Sequence, residues 1–163
     1  MRTVAPTPSD PAGGAAARPR SAERGARHHA RALALQGLYG WLLAGGQAQA
    51  LAAQLLTEEQ RGKVDVAFFE QLLGGTIGAA AELRAQFADL VDRPVANLSP
   101  VEHALLLMGA YEFAFHPEIP YRVTINEAIE LAKSFGGTDG YRYVNGVLDK
   151  LAVRLRGAEA AAR

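Results

Sequence analysis

The sequence predicts an all-α fold made of two small helical subdomains sharing one core. Three observations predict it. Apolar residues recur at three- and four-residue spacing through nearly every segment after residue 25. The breaks between segments are short and carry glycine or proline. No stretch alternates apolar and polar residues as a half-buried strand does. A chain of 163 residues, 49% of them hydrophobic, suits one unit of this size.

In chain order, residues 1–24 read as a disordered basic arm. They are rich in Pro, Ala, Gly, Ser and Arg and lack periodic apolar positions. A helix is expected from about Ala26, with Leu35, Leu38 and Leu42 on one face and Leu33, Tyr39 and Trp41 beside it. Gly45 and Gly46 end it, and a second helix runs roughly from Gln47 to Leu56. The polar TEEQRG run reads as a loop. A longer helical region follows from about Lys63 to Val91, weakened at Gly74 and Gly75. Ser99 then caps a new helix, Pro100 takes its first position, and Glu102 completes a capping box. That helix, to Phe115, is apolar nearly all round and is expected to be the central post.

Two amphipathic helices close the chain. The first carries Ile125, Ala128, Ile129, Ala132 and Phe135 on its apolar face. Gly136 and Gly137 are expected to stop it in the left-handed conformation, with Thr138 or Asp139 capping its successor. The second carries Val144, Val147, Leu148, Leu151 and Leu155. The helical domain is thus expected over 25–155, with N-terminal helices at about 26–91, C-terminal helices at about 100–155, and a short tail at 156–163.

Composition excludes several functions. With no cysteine there is no disulfide, thiolate catalysis or Cys-type zinc site, and a reducing cytoplasm is compatible. No apolar run approaches the length of a membrane span, and residues 1–24 hold no secretory apolar core. Net charge is zero but uneven. Between residues 18 and 31 five arginines face Glu23 alone, a net of +4, whereas residues 32–150 carry −6. A basic arm on an acidic body suits a polyanion at one end and another partner elsewhere; a solubilising tail is the plain alternative.

No catalytic constellation is legible. Glu112 and His116 lie four apart, with His103 on the same helix, but no third metal ligand is placed by spacing. They read as a surface Glu–His pair. Glu127 and Glu130 lack a facing carboxylate and read as a solvated face or partner contact. No phosphate-binding loop or serine nucleophile is present. The chain is expected not to be an enzyme, with neither cofactor nor metal.

Two segments suit a nucleic acid. Arg24, Arg27 and Arg31, with His28 and His29, straddle the start of the first helix and offer charge and hydrogen bonds to RNA. Arg142 and Tyr143 open the last helix, with both residues off its apolar stripe, so the ring can stack on an unpaired base. A tyrosine covering the core edge is the alternative for Tyr143.

PYRVTINEAIELAKSFGG followed by YVNGVLDKL resembles the C-terminal signature of the NusB family of bacterial transcription antitermination factors. The similarity continues upstream through LSPVEHALLLMGAYE and, more loosely, LALQGLYGW, covering roughly residues 25–155. The resemblance implies an all-helical fold, binding of single-stranded boxA RNA together with the small-subunit ribosomal protein NusE, and support of an elongating RNA polymerase complex on ribosomal RNA operons. It places an arginine-rich motif at the first helix, where His28 and His29 replace arginines, and an aromatic on the RNA surface at Tyr143. Asp139 falls on that surface and opposes RNA. Tyr39 and Glu102 match positions facing NusE, although Tyr39 also suits core packing and Glu102 also suits its cap. Some members of the family self-associate, so a free homodimer is a further expectation. NusB-like domains also occur fused to RNA cytosine methyltransferases. A chain ending near Arg163 is expected to be the stand-alone factor instead, and a helical interaction module without RNA is the remaining alternative.

Overall fold

The computed structural model describes residues 20–162, and among them every regular element is helical. Residues 1–19 of the expected arm lie outside the described residues. Helix α1 spans Arg20–Ala44 and begins six residues before the expected start. The reason is visible in the burial pattern. Ser21, Ala22, Glu23 and Arg24 are exposed and burial starts at Ala26, so the first turns leave no apolar period to read.

Helix α1 ends at Gly45 and Gly46, whose φ values of 72° and 115° lie in the region that favours glycine. Helix α2 is Ala48–Leu55. The TEEQRG run is helix α3, Glu58–Lys63, and not a loop. The Thr57 hydroxyl accepts the Gln60 N–H at 3.2 Å, and Lys63 bonds Glu59 one turn back at 2.9 Å. It buries nothing, so its sequence carries no stripe. The long region becomes a near-continuous rod of α4 (Val66–Glu70), a π turn (Gln71–Gly75), α5 (Thr76–Gly78) and α6 (Ala80–Phe87). The Asp65 carboxylate caps it by accepting the Phe68 N–H, while the Asp65 N–H donates to Ala26 O and ties the rod to α1.

Helix α7, Pro100–Phe115, is the central post, with residues 103–113 buried without a break. The Ser99 hydroxyl accepts the Glu102 N–H at 3.2 Å. The return bond of a full capping box is absent among the described residues, since the Glu102 carboxylate turns toward Gly140. Helices α1, α6, α8 and α9 pack around α7, and their buried residues form one core that includes Leu38, Phe69, Leu73, Phe87, Leu106, Phe113, Leu131 and Leu148.

Helices α8, Tyr121–Phe135, and α9, Gly140–Leu155, pack on each other and on α7. Burial on α8 ends at Ala132, so Phe135 is 58% exposed and Leu131 fills the stripe instead. Gly136 is not left-handed. Its φ of −94° and ψ of −179° are extended, and glycine is needed because a Cβ there would approach Ala132 O to 2.7 Å. Asp139 precedes α9 without a side-chain cap bond. The expected tail contains α10, Gly157–Ala161, and a buried Arg156. Among the described residues no helix is long and apolar enough to cross a membrane.

Candidate nucleic-acid interface

At the start of α1 the basic side chains divide into two groups. Arg24 and His29 are exposed. Arg27 is 41% exposed along its side chain, 3.7 Å from Asp65, with its guanidinium 4.8 Å from the centre of the Phe68 ring. A phosphate can still reach its free edge. His28 turns toward α8, where its Nδ1 lies 2.5 Å from Glu127 Oε2; its ring meets His29 edge-on at 6.0 Å.

Arg31 is excluded from a nucleic-acid surface. It is 3% exposed, and its Nε and Nη2 form a two-pronged bond to the Glu112 carboxylate, the shortest contact being 2.7 Å. The Thr124 hydroxyl donates to the same carboxylate at 3.3 Å. Burying two charges is costly unless geometry and further hydrogen bonds compensate, and here both are present. The expected surface pair of Glu112 and His116 is therefore not formed. Glu112 is 2% exposed and belongs to Arg31, while His116 Nδ1 meets Glu118 at 2.8 Å. Spacing failed because Glu112 and His116 share a helix edge, whereas the stronger partner of Glu112 lies on another helix.

The second segment is larger than expected. The Tyr143 hydroxyl donates to Asp92 Oδ1 at 3.0 Å and accepts the Asp92 N–H at 3.4 Å. Burial pushes this hydroxyl up from its ordinary value. Arg93 lies over the Tyr143 ring at 5.1 Å and, with the Tyr143 hydroxyl second, holds Asp92 below the usual carboxylate range. The ring is half-buried and already carries a cation on its face. Its neighbour Tyr141 is the more elaborate platform. Lys133 Nζ lies 4.9 Å from the Tyr141 ring centre and the exposed Arg142 guanidinium 5.6 Å from it, with Arg142 Nε donating to the Tyr141 hydroxyl at 3.0 Å. Tyr141, Lys133 and Arg93 were missed by sequence reading. The YRY triplet was the signal for Tyr141; Lys133 and Arg93 join only through the fold.

The two segments lie apart. Arg31 bonds Glu112 near the end of α7, whereas Arg84, lying over Trp41 late in α1, donates to His103 near the start of α7. Helix α1 is therefore antiparallel to α7. Glu102, at the start of α7, approaches Gly140, which opens the helix carrying Tyr143. Ten residues of α7 separate these levels, about 15 Å. Along α8 the span carries Glu127 and Glu130, then Lys133. Of the expected partner positions, Tyr39 is 42% exposed, next to Leu43 at 60%, and Glu102 is half-buried.

A profile of the NusB family matches residues 28–153. The chain is 56% identical over 133 residues to a transcription antitermination protein NusB from Nitrosospira multiformis, covering 82% of this chain and 84% of the relative. It is 52% identical over 147 residues to the protein of the same name from Bordetella pertussis, covering 88% and 96%. Among solved structures it is similar to T. maritima NusB, with a TM-score of 0.70 and 26% identity over 77% of this chain and 89% of that one. These are non-enzymatic factors. The chain therefore belongs to the NusB family of bacterial transcription antitermination factors.

Proposed function

We propose that this protein binds single-stranded, boxA-type RNA together with the ribosomal protein NusE, and that the assembly keeps RNA polymerase elongating through ribosomal RNA operons in the cytoplasm. Family membership supports the reading, and one structural observation carries it to particular residues. At the start of α9, Lys133 and Arg142 lie 4.9 Å and 5.6 Å from the Tyr141 ring centre, and two residues further on Arg93 lies over the Tyr143 ring. Aromatic faces flanked by cations suit unpaired bases and their phosphates. Arg24, Arg27 and His29 supply a second basic contact, about 15 Å or more away along α7. A strand touching both runs past Glu127 and Glu130, so affinity for RNA alone is modest and a second protein is needed to hold the strand. NusE, a basic partner, fits the acidic body, with Tyr39, Leu43 and Glu102 as its contacts. The free surface then suits a homodimer when NusE is absent.

The test is fluorescence anisotropy of a short boxA RNA and a scrambled control, with and without purified NusE. Tighter, sequence-dependent binding in the presence of NusE is the expected result. Equal binding of both RNAs, with NusE making no difference, overturns the reading. Binding of NusE without RNA reduces the protein to an interaction module.

A further inference from the structure

On the outer side of the contact between α1 and α8, three metal-ligating groups from two helices converge. His28 Nδ1 lies 2.5 Å from Glu127 Oε2 and 3.8 Å from Glu130 Oε2. One ligand atom of each residue falls within 4.8 Å of the other two. Glu127 and Glu130, three apart on α8, share a side of that helix, and His28 approaches them from α1. We infer that this cluster is a binding site for a divalent transition-metal ion of the zinc type. The inference does not rest on the nucleic-acid reading and is testable without RNA.

The donor set fits zinc. One imidazole nitrogen and two carboxylate oxygens leave a fourth tetrahedral position for water. Metal–ligand bonds of about 2.0–2.1 Å place neighbouring tetrahedral ligand atoms roughly 3.3 Å apart. The His28–Glu127 pair must open by less than an ångström and the His28–Glu130 pair close by about half of one. These movements are within reach, because the side chains are 35%, 20% and 67% exposed for His28, Glu127 and Glu130.

Charge and support also fit. Two carboxylates and a neutral imidazole balance a doubly charged cation. Arg31 Nη1 lies 4.0 Å from Glu127 Oε1, the oxygen turned away from His28, and so orients the carboxylate without occupying its ligating atom. Arg31 is itself fixed by Glu112, so the support reaches into the core. Magnesium, which favours six oxygens in an octahedron, is poorly served by an imidazole and two glutamates. The other histidines are engaged elsewhere or lack this company. His103 accepts from Arg84, His116 meets Glu118, and His29 is exposed. An ion at this position links α1 to α8 and removes two negative charges from the span between the basic segments.

The test is calorimetric titration of the full chain with Zn²⁺ alone, and separately with Mg²⁺. One zinc per chain and no magnesium binding are expected. His28→Gln and Glu130→Gln should each weaken zinc binding at least about tenfold, as loss of a direct ligand outweighs loss of an outer-shell partner. Glu130 is exposed, so its replacement leaves the core intact and keeps the test interpretable. His29→Gln and His116→Gln should leave affinity unchanged. Zinc should also raise the melting temperature of the parent more than that of Glu130→Gln at the same zinc concentration. No zinc binding by the parent, or binding that survives both ligand replacements, overturns the inference.

Discussion

Arg31 looks from sequence like the last member of a basic cluster, yet it is the member that cannot meet a ligand. Arg31→Ala leaves Glu112 charged and buried, so it should cost about 3–5 kcal/mol of stability. The folded fraction should bind RNA as the parent does; a loss of RNA affinity at unchanged thermal stability would reverse this assignment. His103 gives a pH test. Burial, with the neighbouring Arg84 second, lowers its pKa from 6.5 to about 4. The folded state therefore favours the neutral imidazole. Its contribution is fully present above pH 6.5, the unfolded value, and is lost as pH falls from 6.5 toward 4. Melting curves of the parent and His103→Gln should run parallel above pH 7 and converge toward pH 4. Curves that remain parallel throughout would show that His103 is not held neutral. Tyr143 hydrogen-bonds Asp92 through its hydroxyl, but stacking needs only the ring face. Tyr143→Phe should keep RNA affinity, and Tyr143→Ala should lose about 1–3 kcal/mol of binding. A stability collapse with normal binding by the folded fraction would make Tyr143 a core residue only.

At the scale of elements, the end of α7 depends on a residue outside the expected helical domain. Arg156 donates to Phe113 O at 2.8 Å, Glu112 O at 3.3 Å, His116 O at 2.7 Å and Ile119 O at 3.0 Å. The last carbonyls of a helix have no partner within it, and one guanidinium serves several here. Lysine has a single ammonium and cannot span that set. Arg156→Lys should cost about 2–3 kcal/mol in denaturant unfolding, as buried acceptors lose their donor. A change below about 0.5 kcal/mol, within the range of ordinary surface substitutions, would show that water replaces Arg156. This residue also shows what sequence could and could not reveal. Val144, Val147, Leu148 and Leu151, and Leu35 and Leu38 of the first helix's expected face, were legible because burial imposes helical periodicity. Helix α3 was not, since it is held by a threonine cap and an ion pair with no buried face. Arg156 reads as tail because, apart from Glu159 three residues on, its acceptors are backbone atoms about 40 residues away, and backbone atoms leave no mark in sequence. In the candidate site, Arg142 and Tyr143 stood out by adjacency, whereas Arg93 reaches Tyr143, and Lys133 reaches Tyr141, only through the fold.

For the whole molecule, the charge pattern sets how binding responds to salt. If Arg24, Arg27, Lys133 and Arg142 each neutralise one phosphate, log affinity should fall against log salt with a slope of about −3 for single-stranded RNA. Arg142→Ala should flatten the slope by about 0.7. A slope unaltered by Arg142→Ala would take the junction of α8 and α9 out of the phosphate path. The first turns of α1 carry a different consequence. Residues 21–24 are helical but exposed, and burial begins at Ala26. Exposed terminal turns are marginal in water, so this end is expected to exchange between wound and unwound chain. A ligand that grips Arg24 selects the wound form and must repay its ordering. Its binding enthalpy is therefore larger than its affinity suggests, with the difference returned as lost backbone entropy, and the amides of residues 21–24 exchange more slowly in the complex than in the free protein.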